Sequence, residues 1–151
     1  MNGLDGRQKE ECGKILRLFG TSGADADQTS GLGPSRASFA DCPLDEGWKT
    51  LAAERYLSYT EIKSENAINR ITGTAENPRF TERVPADTVF RFSVTLKHLE
   101  GDEGLEEFLL EGLKLLQMDS LGGSGSRGYG RIRIEFDDPG LQESFDRLSP
   151  L

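Results

Sequence analysis

A chain of 151 residues with 35% apolar and 29% charged side chains is long enough to bury one core, and its 18 glycines point to long loops. Two cysteines, Cys12 and Cys42, and one histidine, His98, exclude a disulfide scaffold and a metal-ligand spacing. No leader pattern and no run of about 18 apolar residues occurs, so the expectation is a reduced, cytoplasmic chain with no membrane partner.

In chain order, residues 1–6 read as an unstructured start. Arg7 to Phe19 has helical spacing, with Cys12, Ile15, Leu16 and Phe19 on one face and Gly20 as the stop. Residues 20–34 are polar and glycine-rich and read as a mobile loop, in which Asp25 and Asp27 are solvated acids rather than metal ligands. Ser35 to Asp41 alternates as a short strand, with Ala37 and Phe39 on one side. Between Asp45 and Leu57, a turn of helix is anchored by Trp48, Leu51 and Leu57.

Residues 59–85 alternate polar side chains with Ile62, Ala67, Ile68 and Ile71 before Gly73 and Asn77-Pro78 break the run. Lys63, Arg70, Arg79 and Arg83 balance Glu61, Glu65, Glu76 and Glu82, so the stretch is neutral and too polar for a core. It reads as a hairpin-like insertion projecting from the body, or as a solvated loop with paired charges. Thr88 to Lys97 is the clearest strand, with Phe90, Phe92, Val94 and Leu96 on one face. Residues 103–117 form a helix whose stripe is Leu105, Phe108, Leu109, Leu113 and Leu116. Glu103, Glu106 and Glu107 form its solvated first turns, where the helix dipole favours acids. Ile132, Ile134 and Phe136 alternate as a last strand over 131–136, and 137–151 reads as an acidic tail.

The formal net charge of −8 argues against a nucleic-acid partner, but the distribution of that charge points the other way. Residues 98–119 carry seven acids against Lys114, and 135–151 carry five against Arg147. Between them, 120–134 hold Arg127, Arg131 and Arg133 and no acid. Inside this cationic island, 122–130 place five glycines in nine residues. Glycine at that density lets backbone N–H groups approach an anion, and Arg127 adds a planar donor fork suited to phosphate. Tyr129 either stacks on a ring or packs the loop down.

Gly123, Gly125 and Gly128 formally satisfy GxGxxG, but a dinucleotide fingerprint follows a strand and opens a helix. Here a helix precedes the loop and a strand follows it. No Gly-Lys-Ser/Thr is present, which excludes a Walker-type loop. The blander alternative is a flexible surface turn. The final strand, helix, glycine loop and strand match the second half of a ferredoxin-like unit, an α+β fold, without its opening strand and helix.

The loop Gly122-Gly123-Ser124-Gly125-Ser126-Arg127-Gly128-Tyr129-Gly130-Arg131 resembles the glycine-rich loop of the RAMP superfamily. Glu61-Ile62-Lys63, Glu65-Asn66, Ile68-Asn69-Arg70-Ile71-Thr72, Asn77-Pro78-Arg79 and Glu82-Arg83-Val84-Pro85 extend the likeness, with Leu18-Phe19-Gly20 and Pro34-Ser35-Arg36. Together they look like the repeated backbone subunit of type III-A CRISPR effector complexes.

The resemblance implies one partial domain over 1–151: an RRM-like palm lacking its first strand and helix, with 59–85 as a β-hairpin thumb. The implied partners are CRISPR RNA, target RNA, other effector subunits and copies of itself. Contact with RNA would fall to Gly122, Gly123, Ser124, Gly125, Ser126, Arg127, Gly128 and Tyr129, with Arg36, Lys63, Asn66, Arg70, Arg79 and Arg83. Such contacts go to phosphates and sugars, so binding is independent of sequence. The thumb would wedge into the guide–target duplex at six-nucleotide intervals.

In the family the subunit also cleaves target RNA through an aspartate and a divalent metal such as Mg. That aspartate lies on a loop after the first strand, which has no counterpart here, so no catalytic residue and no cofactor of this chain is carried over. Three readings stay open: an RNA-binding interaction protein, an endoribonuclease completed by another chain, and a remnant that neither folds nor binds well.

Overall fold

Helix α1, Gly6–Phe19, starts where Asp5 can cap it: the Asp5 carboxylate accepts from the Gln8 N–H, and the Gln8 side chain reaches back to the Asp5 N–H. Gly20 ends it at φ 82°. In this computed structural model, which describes residues 5–22 and 31–150, the expected unstructured start therefore fails at Asp5 and Gly6. Most of the expected 20–34 loop, including Asp25 and Asp27, lies outside the described residues.

Next come β1 (Ala37–Phe39), α2 (Glu46–Glu54), β2 (Glu61–Ile68), β3 (Ala75–Arg83), β4 (Val94–Leu96), α3 (Leu105–Met118) and α4 (Pro139–Arg147). The α+β class holds. The sheets are small: β1 pairs with β4, and β2 with β3. By contacts the chain divides into two compact units, one of Met1–Ser38 with Thr95–Leu151, the other of Phe39–Val94.

In the first unit, α1 packs on α3, but not by the face its apolar spacing suggests. Leu18 is buried, while Ile15 and Phe19 stay exposed. The contact face includes Lys14, whose ammonium lies 5.7 Å from the centre of the Phe108 ring and pairs with Glu10. A long cationic side chain can cover apolar surface with its stem. Sequence spacing, which counts lysine as polar, misplaces the stripe.

Helix α3 follows the expected register, burying Leu105, Leu109 and Leu113, with Leu110 added. Glu103, Glu106 and Glu107 are exposed, as a solvated face requires. The tail reading of 137–151 is corrected by α4. Asp138 accepts from the Leu141 N–H, Pro139 occupies the first turn, and Phe145 becomes 0% exposed against Leu110 and Leu113. Phe136 meets Phe145 edge-on at 5.1 Å, and Lys114 sits over the same ring at 4.7 Å.

The expected last strand keeps its alternation but forms no ladder among the described residues. Ile132, Ile134 and Phe136 are half-buried, and Arg131, Arg133 and Glu135 are exposed. Two side-chain amides replace the ladder: Gln117 Oε1 accepts from the Ile134 N–H at 2.7 Å, and Gln142 Oε1 from the Phe136 N–H at 2.8 Å. Inward-facing donors are thereby satisfied without a neighbouring strand.

In the second unit, Asp45 caps α2 by accepting from the Trp48 N–H, so the turn expected there is a nine-residue helix burying Trp48 and Ala52. Leu51 and Leu57, expected as anchors, are exposed. The Trp48 N–H holds the Asp45 carboxyl below its ordinary range, helped by Arg91 at 2.8 Å and opposed by desolvation. The long strand expected over 88–97 shrinks to Val94–Leu96, with a lone bridge between Phe90 and Leu44. Phe90 and Phe92 remain exposed, with Phe92 meeting only the tilted ring of Phe39 at 6.3 Å among the aromatic contacts of the described residues.

Candidate nucleic-acid interface

The glycine loop is a closed ring rather than a loose turn. As α3 ends, the Asp119 N–H donates to Leu115 O; two residues on, the Leu121 N–H donates to Gly130 O at 2.8 Å. A 3-10 turn, Gly125–Arg127, lies between, with the Arg127 N–H on Ser124 O and the Gly128 N–H on Gly125 O, each at 2.9 Å. Ser124 adopts φ 61°, rare for a residue with a side chain.

The ring closes only because Gly130 has no Cβ. One built there would overlap the Leu121 carbonyl, and φ is 73° as well, so the position is glycine-only on two grounds. Gly125 is nearly as tight, against the Ser120 side chain. On the other side, a Cβ at Gly122, Gly123 or Gly128 would meet only open space. The loop is pinned at its base and bare at its crest.

The candidate residues sort clearly. Gly122, Gly123, Ser124, Ser126, Arg127 and Gly128 are exposed together on this crest, with Gly125 half-buried. Tyr129 is 7% exposed, which fits the packing alternative and not stacking on a free base. Lys63, Asn66, Arg70, Arg79 and Arg83 gather on the β2–β3 hairpin, which belongs to the other unit. The register there pairs Glu61 with Arg83, Lys63 with Thr81 and Glu65 with Arg79, shifting at Asn66 between Glu65 and Ala67. Lys63 lies 3.4 Å from Glu65 and Arg83 2.6 Å from Glu61, while Arg70 and Arg79 are exposed.

Arg36 is corrected outright as an RNA contact. It is 6% exposed, its Nε bonds Asp102 at 2.8 Å, and its Nη1 donates to the carbonyls of Leu32 and Pro34. With Nε and both Nη1 donors on internal acceptors, this guanidinium locks the fold from inside rather than presenting a fork to a strand outside. Asp102, 7% exposed, also accepts from the Leu99 N–H. The Arg36 hydrogen bond, with the Leu99 N–H and the Arg36 and Arg17 charges, holds the Asp102 carboxyl below its ordinary range against desolvation.

Sequence reasoning passed over this lock, and also Asp119 and Ser120 beside the loop. The signal for the lock was available: Asp102 in a Glu-Gly-Asp turn is the kind of short acid that turns internalise. Arg133, one of the three cations of the island, pairs with Glu135 at 2.9 Å. Among the described residues no three of His, Cys, Asp and Glu converge as a metal site. No helix among them is long and apolar enough to cross a membrane.

The pattern of the RAMP superfamily matches residues 2–133. Among curated proteins, the CRISPR system Cms endoribonuclease Csm3 of Methanothermobacter thermautotrophicus is 41% identical over 142 residues, covering 83% of this chain and 56% of its own. The Csm3 of Enterococcus italicus is 39% identical over 130 residues (85% and 58%), and that of Streptococcus thermophilus 42% over 125 (80% and 54%). The chain thus spans little more than half the length of the curated relatives it matches. With the glycine ring intact and the family pattern running through nearly all of it, this chain belongs to the RAMP superfamily, and its curated relatives are Csm3 proteins.

Proposed function

We propose that this chain is an RNA-binding backbone segment of a type III CRISPR effector complex, gripping CRISPR RNA through the glycine ring and meeting target RNA through the β2–β3 hairpin. One observation carries the reading: a ring of backbone pinned by Leu121 and Gly130, bare at its crest, with Arg127 on it and no acid from Ser120 to Ile134. Amide donors and a guanidinium at such a crest suit phosphate oxygens and ignore the bases. The hairpin suits a different task. Its Ile71 is 96% exposed at a tip organised by Asn69, whose Oδ1 accepts from the Ile71 and Thr72 N–H groups and whose Nδ2 donates to Glu76. An apolar side chain held in water on a fixed tip suits insertion between base pairs, at the cost of a few kcal/mol of unstacking.

The relatives' names favour a second reading, endoribonuclease activity of the complete subunit. No cleavage step is assigned to the residues of this chain, which spans little more than half the length of those relatives. The salt dependence of binding separates grip from general charge. Arg127→Ala should weaken binding of single-stranded RNA equally for unrelated sequences and flatten the log K against log salt slope by roughly 0.7 for one lost phosphate contact. An unchanged slope with intact affinity would remove the loop from the interface.

A further inference from the structure

Between the end of α3 and the glycine ring lies an open cavity of about 400 Å³, walled by Gln117, Asp119, Ser120, Gly125, Tyr129 and Arg131 among others. Its chemistry is out of keeping with a site for phosphate alone. Asp119 is exposed and follows the last turn of α3, where the helix dipole is already negative. Among the described residues its carboxylate has no side-chain hydrogen bond or ion pair, and it stands beside a crest read as a cradle for anions. Exposed as it is, the carboxylate is hydrated in the free chain, and a bound strand that displaces that water has to bring it a hydrogen-bond donor instead.

Resting on the reading of the ring as an RNA grip, we infer that this cavity reads the ribose 2′-hydroxyl, with the Asp119 carboxylate accepting a hydrogen bond from it. The 2′-hydroxyl is the donor that a sugar–phosphate strand offers at every residue whatever its base, and it is what distinguishes RNA from DNA. Gln117 supplies the complement. Its Oε1 is occupied by the Ile134 N–H, which leaves Nε2 to donate toward the hydroxyl oxygen. The carboxylate repels the phosphates of either strand alike, and only the ribose offsets that cost with a hydrogen bond, so the 2′-hydroxyl alone sets the preference. Base amino groups are the other donors a strand carries, but reading them would make a sequence-independent grip depend on sequence.

The test is fluorescence anisotropy of the full chain with labelled 12-residue single strands, ribo and 2′-deoxy, in U-rich and A-rich versions. The wild-type chain should prefer ribose by roughly three- to tenfold, the worth of one hydrogen bond, in both base compositions. Asp119→Ala should bring that ratio to about one without altering the salt slope, whereas Arg127→Ala should weaken both sugars together and keep the ratio. Equal wild-type affinity for the two sugars, a ratio that survives Asp119→Ala, or a preference that follows base rather than sugar would each overturn the assignment while leaving the grip standing. Failure of the wild-type chain to bind any strand would overturn the grip as well.

Discussion

The glycine ring and the β2–β3 hairpin are both exposed and both carry arginine, yet they are built on opposite plans. In the ring, the backbone does the presenting: side chains are removed from the crest, and specificity of shape comes from Gly130 lying on Leu121. In the hairpin the backbone is consumed by its own ladder, and side chains do the presenting, with Ile62, Phe80 and Ile71 all exposed. Bare amides suit a repetitive anion, whatever the letters it carries. Exposed apolar side chains suit surfaces that appear only when stacked bases part.

Support differs in the same way. The ring is carried by the unit whose core is Leu110, Leu113 and Phe145, so the largest expected effect lies there. Phe145→Ala should cost about 3–5 kcal/mol in denaturant unfolding and abolish RNA binding with it. If binding survived such a loss, the ring would not depend on the core beneath it.

Two glycines at positive φ sharpen the contrast. Gly73 in the hairpin turn, at φ 71°, faces open space, so Gly73→Ala should cost only the backbone strain of about 1–2 kcal/mol. Gly130→Ala adds the collision with Leu121 and should cost more, with loss of RNA affinity that Gly73→Ala does not show. Equal costs in urea titrations would mean the ring is not closed by that approach.

Acid should act selectively too. The carboxyl of Asp102 is held below its ordinary value, so its contribution is full above that value and is lost as pH falls through the lower folded one, below about pH 4. Protection factors at the Leu99 and Asp102 amides, taken relative to the intrinsic rate at each pH, should therefore fall on acidification, and Arg36→Ala should bring that fall to higher pH. A flat profile would mean the lock does not hold this turn.

The smallest effect on stability is expected at the hairpin's exposed apolar residues. Ile71→Ser and Phe80→Ser should shift unfolding by no more than about 0.5 kcal/mol. In an assembled effector, deleting residues 64–80 should leave guide binding in place and erase the regular spacing of target protection. Survival of that spacing would end the thumb reading.

How far the sequence could be read follows from the same contrast. The ring was legible because glycine density and the absence of acid are local facts, and α3 was legible because its leucines recur at helical spacing. The hairpin was visible only as one of two alternatives, since exposed alternation is also what a solvated loop presents. Helix α4 was missed because acid-rich composition masked a start signal, Asp138-Pro139, that the sequence does contain. Arg36 was misread for a deeper reason. Whether a guanidinium faces outward or turns onto Asp102, 66 residues away, is decided by tertiary packing and leaves no local trace.

Hydrogen exchange across the chain, with and without single-stranded RNA of two unrelated sequences, tests the central claim most directly. The account predicts slowed exchange at the amides of 122–126 to the same extent for both sequences, with the β2–β3 ladder unchanged until a complementary strand is added. Slowing confined to the hairpin, or slowing at 122–126 with one sequence and not the other, would contradict it.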